Sequence, residues 1–462
     1  MSGHQILQAM PMQESSSQQN VFSVMAGHIK RSVTLKIITV GILIVLLLIP
    51  AVMIQDLIRE RQFRRNAVVQ EISQKWGDTQ TITGPYISVP FKRYFQDKDG
   101  KTLYNLNYLH ILPESLDITG EIMPEVRYRG LFEAVIYNAR LRFSGNFKIP
   151  PAGQLNIDAG NIMWDKALLS LGIADMRGIQ DEVVFAFNDS TWRGSPGLKT
   201  NDLAAAGVST PVQTLTPDQA YGFSFELNLN GSQQISFIPV GETNSVQMQS
   251  GWPSPSFNGA YLPAVRAVGE DGFTASWKVL HLNRNYPQFW EGAQYKVAPS
   301  AFGLQLILTA DIYQKSMRLA KYAILFLAFT FAACFFAEII NRQRIHPIQY
   351  ILIGMAILIF YTLVLSLSEH MHFNYAYMLS AASVTLIISG YARAIIADAR
   401  FALTIFGLLG ILYGYLFIVL QLEDYALLMG SVGLLIILAA VMYLTRRINW
   451  YAIEAAHNGD DG

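Results

Sequence analysis

The sequence predicts an integral membrane α-helical protein of six transmembrane helices, with a large antiparallel β-rich, sandwich-like domain between the first and the second. Three observations predict it. Of 462 residues, 52% are hydrophobic and only 15% charged, where soluble domains carry about 25% charged. The apolar excess falls into six blocks, 37–54, 320–340, 348–367, 373–392, 401–420 and 425–445, near the ~20 residues needed to cross a hydrocarbon layer. Between the first two blocks lie residues 59–316, a segment of 258 residues whose apolar positions recur mostly with period two. The 34 basic and 34 acidic side chains cancel, so no charge footprint points to nucleic acid. A single cysteine, Cys334, excludes a disulfide scaffold, a thiolate zinc site and an iron–sulfur cluster held by this chain alone.

Residues 1–36 begin rich in Gln, Ser and Met and are expected to form a disordered cytoplasmic tail. Block 37–54 reads as an uncleaved signal anchor, because 36 residues precede it and no small-x-small site follows. Over 55–77, Val68, Val69, Ile72 and Trp76 keep helical spacing and Gly77 stops it, which predicts a helical stalk. The β-rich domain, 78–316, alternates through Tyr86-Ile87-Ser88-Val89, Leu141-Arg142-Phe143-Ser144 and Phe223 to Leu229. Gly84-Pro85, Asp99-Gly100, Asn230-Gly231 and Asp271-Gly272 punctuate the runs as turns. The remaining five blocks make a helix bundle, 317–445, followed by a cytoplasmic tail, 446–462. Lys30, Arg31, Lys36, Arg342, Arg344, Arg393, Arg400, Arg446 and Arg447 flank the spans on one side, whereas loops 368–372 and 421–424 carry none. This asymmetry predicts that both termini are cytoplasmic and the large domain lies outside. Arg59, Arg61, Arg64 and Arg65 oppose it, but long translocated domains largely escape the charge rule.

No G-x-S-x-G, H-E-x-x-H, P-loop or dinucleotide fingerprint occurs, so no catalytic residue, metal or cofactor is assigned. Ser368-Glu369-His370-Met371-His372 is the most chemical stretch. Its carboxylate and imidazoles suit a divalent metal or proton carriage, while the plainer reading is a polar turn at the membrane surface. Tyr361, eight residues before Glu369, shares its helix face. Glu338 is an ionisable group within a span, a functional candidate by default, though Arg342 at i+4 suits a simple ion pair. His346-Pro347 reads as a helix start. Gly407, Gly410 and Gly414 suit close helix packing. In the outer domain, Trp252-Pro253-Ser254-Pro255-Ser256-Phe257 is an aromatic-proline loop suited to gripping a peptide or sugar, or to capping a sheet.

These residues carry a family resemblance. Ala320-Lys321-Tyr322-Ala323-Ile324-Leu325 through Glu338, Arg344-Ile345-His346-Pro347-Ile348-Gln349-Tyr350 and Leu365-Ser366-Leu367-Ser368-Glu369-His370 resemble the CreD family of bacterial inner-membrane proteins. So do Trp76-Gly77, Gly84-Pro85, Asp175-Met176-Arg177-Gly178-Ile179 and the loop from Trp252 to Phe257, from which Arg177, Trp252 and Phe257 are taken as outer-loop candidates. The resemblance runs from the first span to the sixth. It implies a bacterial inner-membrane location, a link to a two-component regulon, envelope stress and colicin tolerance, and brings with it no established catalytic activity, transported substrate or cofactor. The expected function is therefore non-enzymatic: an inner-membrane protein whose periplasmic domain binds or senses an envelope component and helps maintain envelope integrity. Its partners would be the lipid bilayer and other envelope proteins or components. The alternatives are a transporter or lipid-handling protein using Glu338 and Glu369/His370, and an envelope hydrolase.

Overall fold

The structure, a computed structural model, describes residues 33–308, 312–341, 345–396, 399–422 and 425–446. The expected N-terminal tail up to residue 32, Arg342, Arg344 and the C-terminal tail from Arg447 onward lie outside the described residues. The chain divides into two compact units, Met1–Gln62 with Asp311–Gly462, and Phe63–Ala310.

The first unit is helical. Helix α1 runs Val33–Trp76, so its N-terminal part belongs to this unit. The others are α2 (Ile312–Lys321), α3 (Ala323–Asn341), α4 (Pro347–Ser368), α5 (Phe373–Ile396), α6 (Ala399–Gln421) and α7 (Ala426–Thr445). Among the described residues α1, α4, α5 and α6 are each long and apolar enough to cross a membrane, and α2 with α3 makes a fifth if that pair, bent by 41°, is one span. α7 occupies the sixth apolar block. The bend within the second block has a compositional cause. α2 is amphipathic, burying Tyr313, Ser316, Leu319 and Ala320 while Lys315, Arg318 and Lys321 lie on its other faces, whereas α3 is apolar along almost its whole length. A polar-faced helix belongs at an interface and an apolar one in hydrocarbon. Aromatic rings fill the middle of the bundle: Phe360 lies 4.5 Å from Tyr413 and 5.4 Å from Tyr377, and Phe326 4.9 Å from Tyr413.

The second unit is a two-sheet β structure. In chain order its strands are β1 (Gln80–Gln96), β2 (Thr102–Ile111), β3 (Ser115–Arg129), β4 (Phe132–Lys148), β5 (Leu168–Ile173), β6 (Val184–Phe187), β7 (Ser190–Arg193), β8 (Ser195–Pro196), β9 (Gly207–Pro211), β10 (Ala220–Ser232), β11 (Gln234–Ile238), β12 (Thr243–Ser250), β13 (Pro255–Gly259), β14 (Val265–Gly269), β15 (Gly272–Leu280), β16 (Phe289–Glu291) and β17 (Phe302–Leu306). One sheet runs β13-β17-β11-β1-β5-β9-β8, with β2 on β1 and β16 on β2; the other runs β14-β15-β12-β3-β4-β10-β6-β7. One contiguous apolar cluster draws on both, including Val89, Leu169 and Phe237 from the first and Ile118, Phe143 and Phe225 from the second, as facing sheets require.

The expectation of an antiparallel domain needs correction. β1 pairs with β11 in parallel, and β3 with β12. Hairpins cannot make such pairs, and local alternation carries no information about which distant strand lies alongside. The two sheets also differ in burial. β10, β12 and β15 alternate between buried and exposed, so the eight-stranded sheet shows one face to water. β1 and β5 are buried on both faces over most of their paired length. Short 3₁₀ turns and loops carrying Leu155, Ile162, Leu203 and Tyr286 join the core around that sheet.

Candidate functional site

The two ionisable groups singled out in the bundle are both paired to α1. Glu338, on α3, is 6% exposed. Lys36 Nζ on α1 donates to its Oε1, and the Tyr350 hydroxyl on α4 donates to Oε2 at 3.4 Å. A carboxylate withdrawn from water stays ionised only when such partners replace its hydration. Glu369 follows α4 directly. Its Oε1 accepts from the Tyr313 hydroxyl on α2 at 3.2 Å, and Arg61 Nη1 on α1 lies 3.7 Å from Oε2. Lys36 and Arg61 are 25 residues apart on one helix, about 37 Å at the α-helical rise. The bundle thus grips α1 at two separated levels.

The remaining bundle candidates have structural partners. His346 caps α4: its Nδ1 accepts from Ile348 N–H at 3.3 Å while the Gln349 side chain accepts from His346 N–H at 2.8 Å, a reciprocal capping arrangement. Tyr361 is buried with its ring edge-on to Phe360, and its hydroxyl has no partner among the described residues. The tyrosine that reaches Glu369 is Tyr313. His370 is exposed, and His372 Nδ1 accepts from Asn374 N–H at 3.4 Å. Among the described residues no three His, Cys, Asp or Glu side chains gather as a metal site. Gly407, Gly410 and Gly414 do not pack closely: a Cβ at any of them would meet nothing within 4 Å. Among the described residues the tight glycines of the bundle are Gly354, whose added Cβ would lie 2.3 Å from Leu47 Cδ1, and Gly433, whose added Cβ would lie 2.1 Å from the Tyr415 hydroxyl.

In the β-rich unit Arg177 and its neighbours cap the end of α1. Asp175 accepts from Arg177 Nε at 2.9 Å and Nη2 at 2.8 Å, and from Asp78 N–H at 2.9 Å. The Arg177 guanidinium beside Asp175 holds its carboxyl below the usual carboxylate range. Arg177 Nη1 also donates to the Gln74 carbonyl at 2.6 Å, one of the carbonyls a helix C-terminus leaves unpaired. Trp76 Nε1 donates to Tyr137 O at 3.2 Å under the Arg127 guanidinium. Gly77 (φ 148°) and Gly178 both press on the Asn230 carbonyl, where an added Cβ would lie 2.6 and 2.2 Å away. Trp252 Nε1 donates to Ile307 O at 3.1 Å, and Phe257 stands edge-on to Phe273 and Trp277 at 5.8 and 5.7 Å. The aromatic-proline loop is therefore packed against the core.

A constellation that sequence reasoning missed lies inside the nine-stranded sheet. Ser88 Oγ is 3.0 Å from His110 Nδ1, and His110 Nε2 is 2.8 Å from Asp202 Oδ2. Tyr86 and Trp290 set their rings about the imidazole, each with centroids 6.1 Å away. A neutral ring protonated at Nε2 satisfies both bonds, accepting from the serine and donating to the carboxylate. Burial pushes the His110 pKa below its ordinary value, against the opposing pull of Asp202. The residue types are those of a hydrolytic triad, but Ser88 is 1% exposed in mid-strand between β2 and β5, so its hydroxyl has no approach for a substrate. The only sequence signal was a polar residue in the apolar run Ile87-Ser88-Val89.

The open face of the eight-stranded sheet forms a groove of about 810 Å³. Its floor is built in register. Gln249, Glu121, Arg140 and Asn228 stand side by side across β12, β3, β4 and β10. The next row holds Gln247, Thr119, Arg142 and Glu226. Thr274 and Ser276 on β15 extend the two rows.

Comparison with known proteins adds a family. The family described as Inner membrane protein CreD matches residues 32–451. A protein of Escherichia coli (strain K12) described as Inner membrane protein CreD is 32% identical over 422 residues, covering 89% of this chain and 92% of the relative.

Proposed function

The chain belongs to the CreD family of inner-membrane proteins, and from that premise we propose that it is a non-enzymatic protein of the bacterial envelope stress response. In this reading its six spans hold a periplasmic β-rich unit that binds or senses an envelope component and helps maintain envelope integrity. The observation that carries the reading is the contrast between the two units. The bundle's buried carboxylates, Glu338 and Glu369, are consumed by ion pairs with α1, whereas the β-rich unit presents a large, polar, open groove. Ligand sites are concave and of this size, and an anchor needs no free ionisable group in its helices.

The test is a deletion strain exposed to envelope-active agents, colicins included, together with mass spectrometry of molecules that co-purify in native lipid. The expected result is altered sensitivity and a co-purifying envelope component; unchanged sensitivity under inducing conditions removes the reading. Transport is the second reading, favoured by the burial of Glu338. It requires that Glu338→Gln or Glu369→Gln abolish flux, whereas in an anchor both changes only lower stability.

A further inference from the structure

The groove on the eight-stranded sheet contains one pair of charges that its neighbours do not neutralise. Arg142 and Glu226 face each other across β4 and β10 and are joined by hydrogen bonds of 3.1 and 2.6 Å. In the adjacent row Arg140 stands opposite Glu121 on β3 and Asn228 on β10. Among the described residues neither the Arg140 guanidinium nor the Glu121 carboxylate has an ion-pair or hydrogen-bond partner. Side chains directly opposite on one sheet face have Cβ atoms about 4.5–5.5 Å apart. A free cation and a free anion therefore lie next to each other at the centre of the floor, both exposed.

The rest of the lining restricts what fits. Among the described residues no aromatic side chain lines the groove, so they offer no platform on which a sugar or base face could stack. Gln247 and Gln249 offer carboxamides, each with donors and an acceptor, which match the amide groups of a peptide. A ligand carrying one charge alone would meet a like charge beside its partner. A group bearing a carboxylate and an ammonium on one carbon meets neither penalty.

We infer that this groove binds a peptide bearing a free amino-acid zwitterion. The forked Arg140 guanidinium takes the carboxylate, Glu121 takes the ammonium, and Gln247 and Gln249 meet the chain amides. The inference rests on the reading of the β-rich unit as a ligand-binding domain and names the chemistry of its ligand.

The test uses the full chain in lipid nanodiscs, titrated calorimetrically with two probes. N-acetyl-alanyl-meso-diaminopimelate ends its side chain in a zwitterion; N-acetyl-alanyl-lysine ends it in an ammonium alone. The first is expected to bind on the order of tenfold tighter, the worth of one charge-assisted hydrogen bond. Arg140→Ala abolishes that preference, and Arg140→Lys restores part of it. Glu121→Gln weakens both probes by a similar factor, and all three proteins keep the thermal midpoint of the wild type because both side chains are exposed. Absence of binding, equal affinity for the two probes, or a preference that survives Arg140→Ala overturns the inference. An envelope component that still co-purifies with the Arg140→Ala protein would do so too, while leaving the broader reading in place; a deletion strain without phenotype removes that broader reading instead.

Discussion

Lys36 carries more of the bundle's stability than a lysine near a helix end ordinarily would, because the carboxylate it meets has almost no water. Removing one partner of a buried pair strands the other, at a cost of about 3–5 kcal/mol for a fully buried pair. Lys36 is 31% exposed, so Lys36→Met should fall at or below the low end of that range. Adding Glu338→Leu should recover most of the loss, since an apolar pair no longer needs a counter-charge; unfolding midpoints in mixed micelles read both steps. His110 makes a different prediction, in pH. Its pKa is lowered in the fold by burial, so between that lowered value and about 6.5, the ordinary value, the unfolded chain binds the extra proton. The stabilisation is complete above about 6.5 and is lost as pH falls below it. His110→Asn should lower the thermal midpoint at neutral pH yet flatten its decline towards acid. Glu71 works in another window. Hydrogen bonds from Arg129 and then Lys75 hold its carboxyl at about 2, so its contribution, present above about 4.5, fades only as pH falls towards 2. A decline that sets in below pH ~6.5 and persists in the His110→Asn protein would refute the assignment to His110.

Single elements show which glycines matter. Gly178 sits where the Asn230 backbone carbonyl leaves 2.2 Å for a Cβ, and a carbonyl within a paired strand cannot rotate aside. Gly178→Ala should therefore cost about 1–3 kcal/mol, as overpacking does, and loosen the cap on α1. Gly410→Ala should be neutral or stabilising by up to about 1 kcal/mol, because its Cβ enters open space and alanine favours helix. The two thermal midpoints, taken together, separate packing glycines from merely helical ones. The same contrast explains what was legible. The helices could be read because hydrocarbon demands long apolar runs, but their packing faces could not. In α4 the exposed Ile348, Leu352 and Ile359 are as apolar as the buried Ile353 and Ile357, so no periodicity marks the interior. The Gly407, Gly410 and Gly414 stripe misled for that reason. In the β-rich unit β10 and β15 alternate visibly, whereas β1, buried on both faces, hides its register and with it the pairing of Ser88 with His110. One partner of Glu338, Lys36, lies 302 residues away along the chain, beyond the reach of any local spacing. The motif Asp175-Met176-Arg177-Gly178-Ile179 was visible as a motif, but its use as a helix cap depends on the position of Gln74, which only the fold supplies.

At the scale of the whole molecule, the side of the membrane on which each loop lies turns on one question: whether α2 and α3 cross or turn back. The two ion pairs argue for crossing. Tyr313, at the start of α2, bonds Glu369, which also meets Arg61. Glu338, near the end of α3, bonds Lys36. Arg61 and Lys36 are about 37 Å apart along α1, so the bent pair begins beside one level of α1 and ends beside the other, as a crossing segment does and a re-entrant one does not. With the N-terminus cytoplasmic, as the charge asymmetry of the short loops predicts, crossing would give six spans and put Arg393 and Arg446 on the cytoplasmic side. A returning pair gives five and puts them outside. Single cysteines read the difference in a Cys334→Ser background. In spheroplasts, Lys199→Cys and His370→Cys should react with a membrane-impermeant maleimide, and Arg393→Cys should react only after permeabilisation. Labelling of Arg393→Cys in sealed spheroplasts, with His370→Cys protected, would mean that the pair turns back and that the ion pairs join helices of the opposite sense.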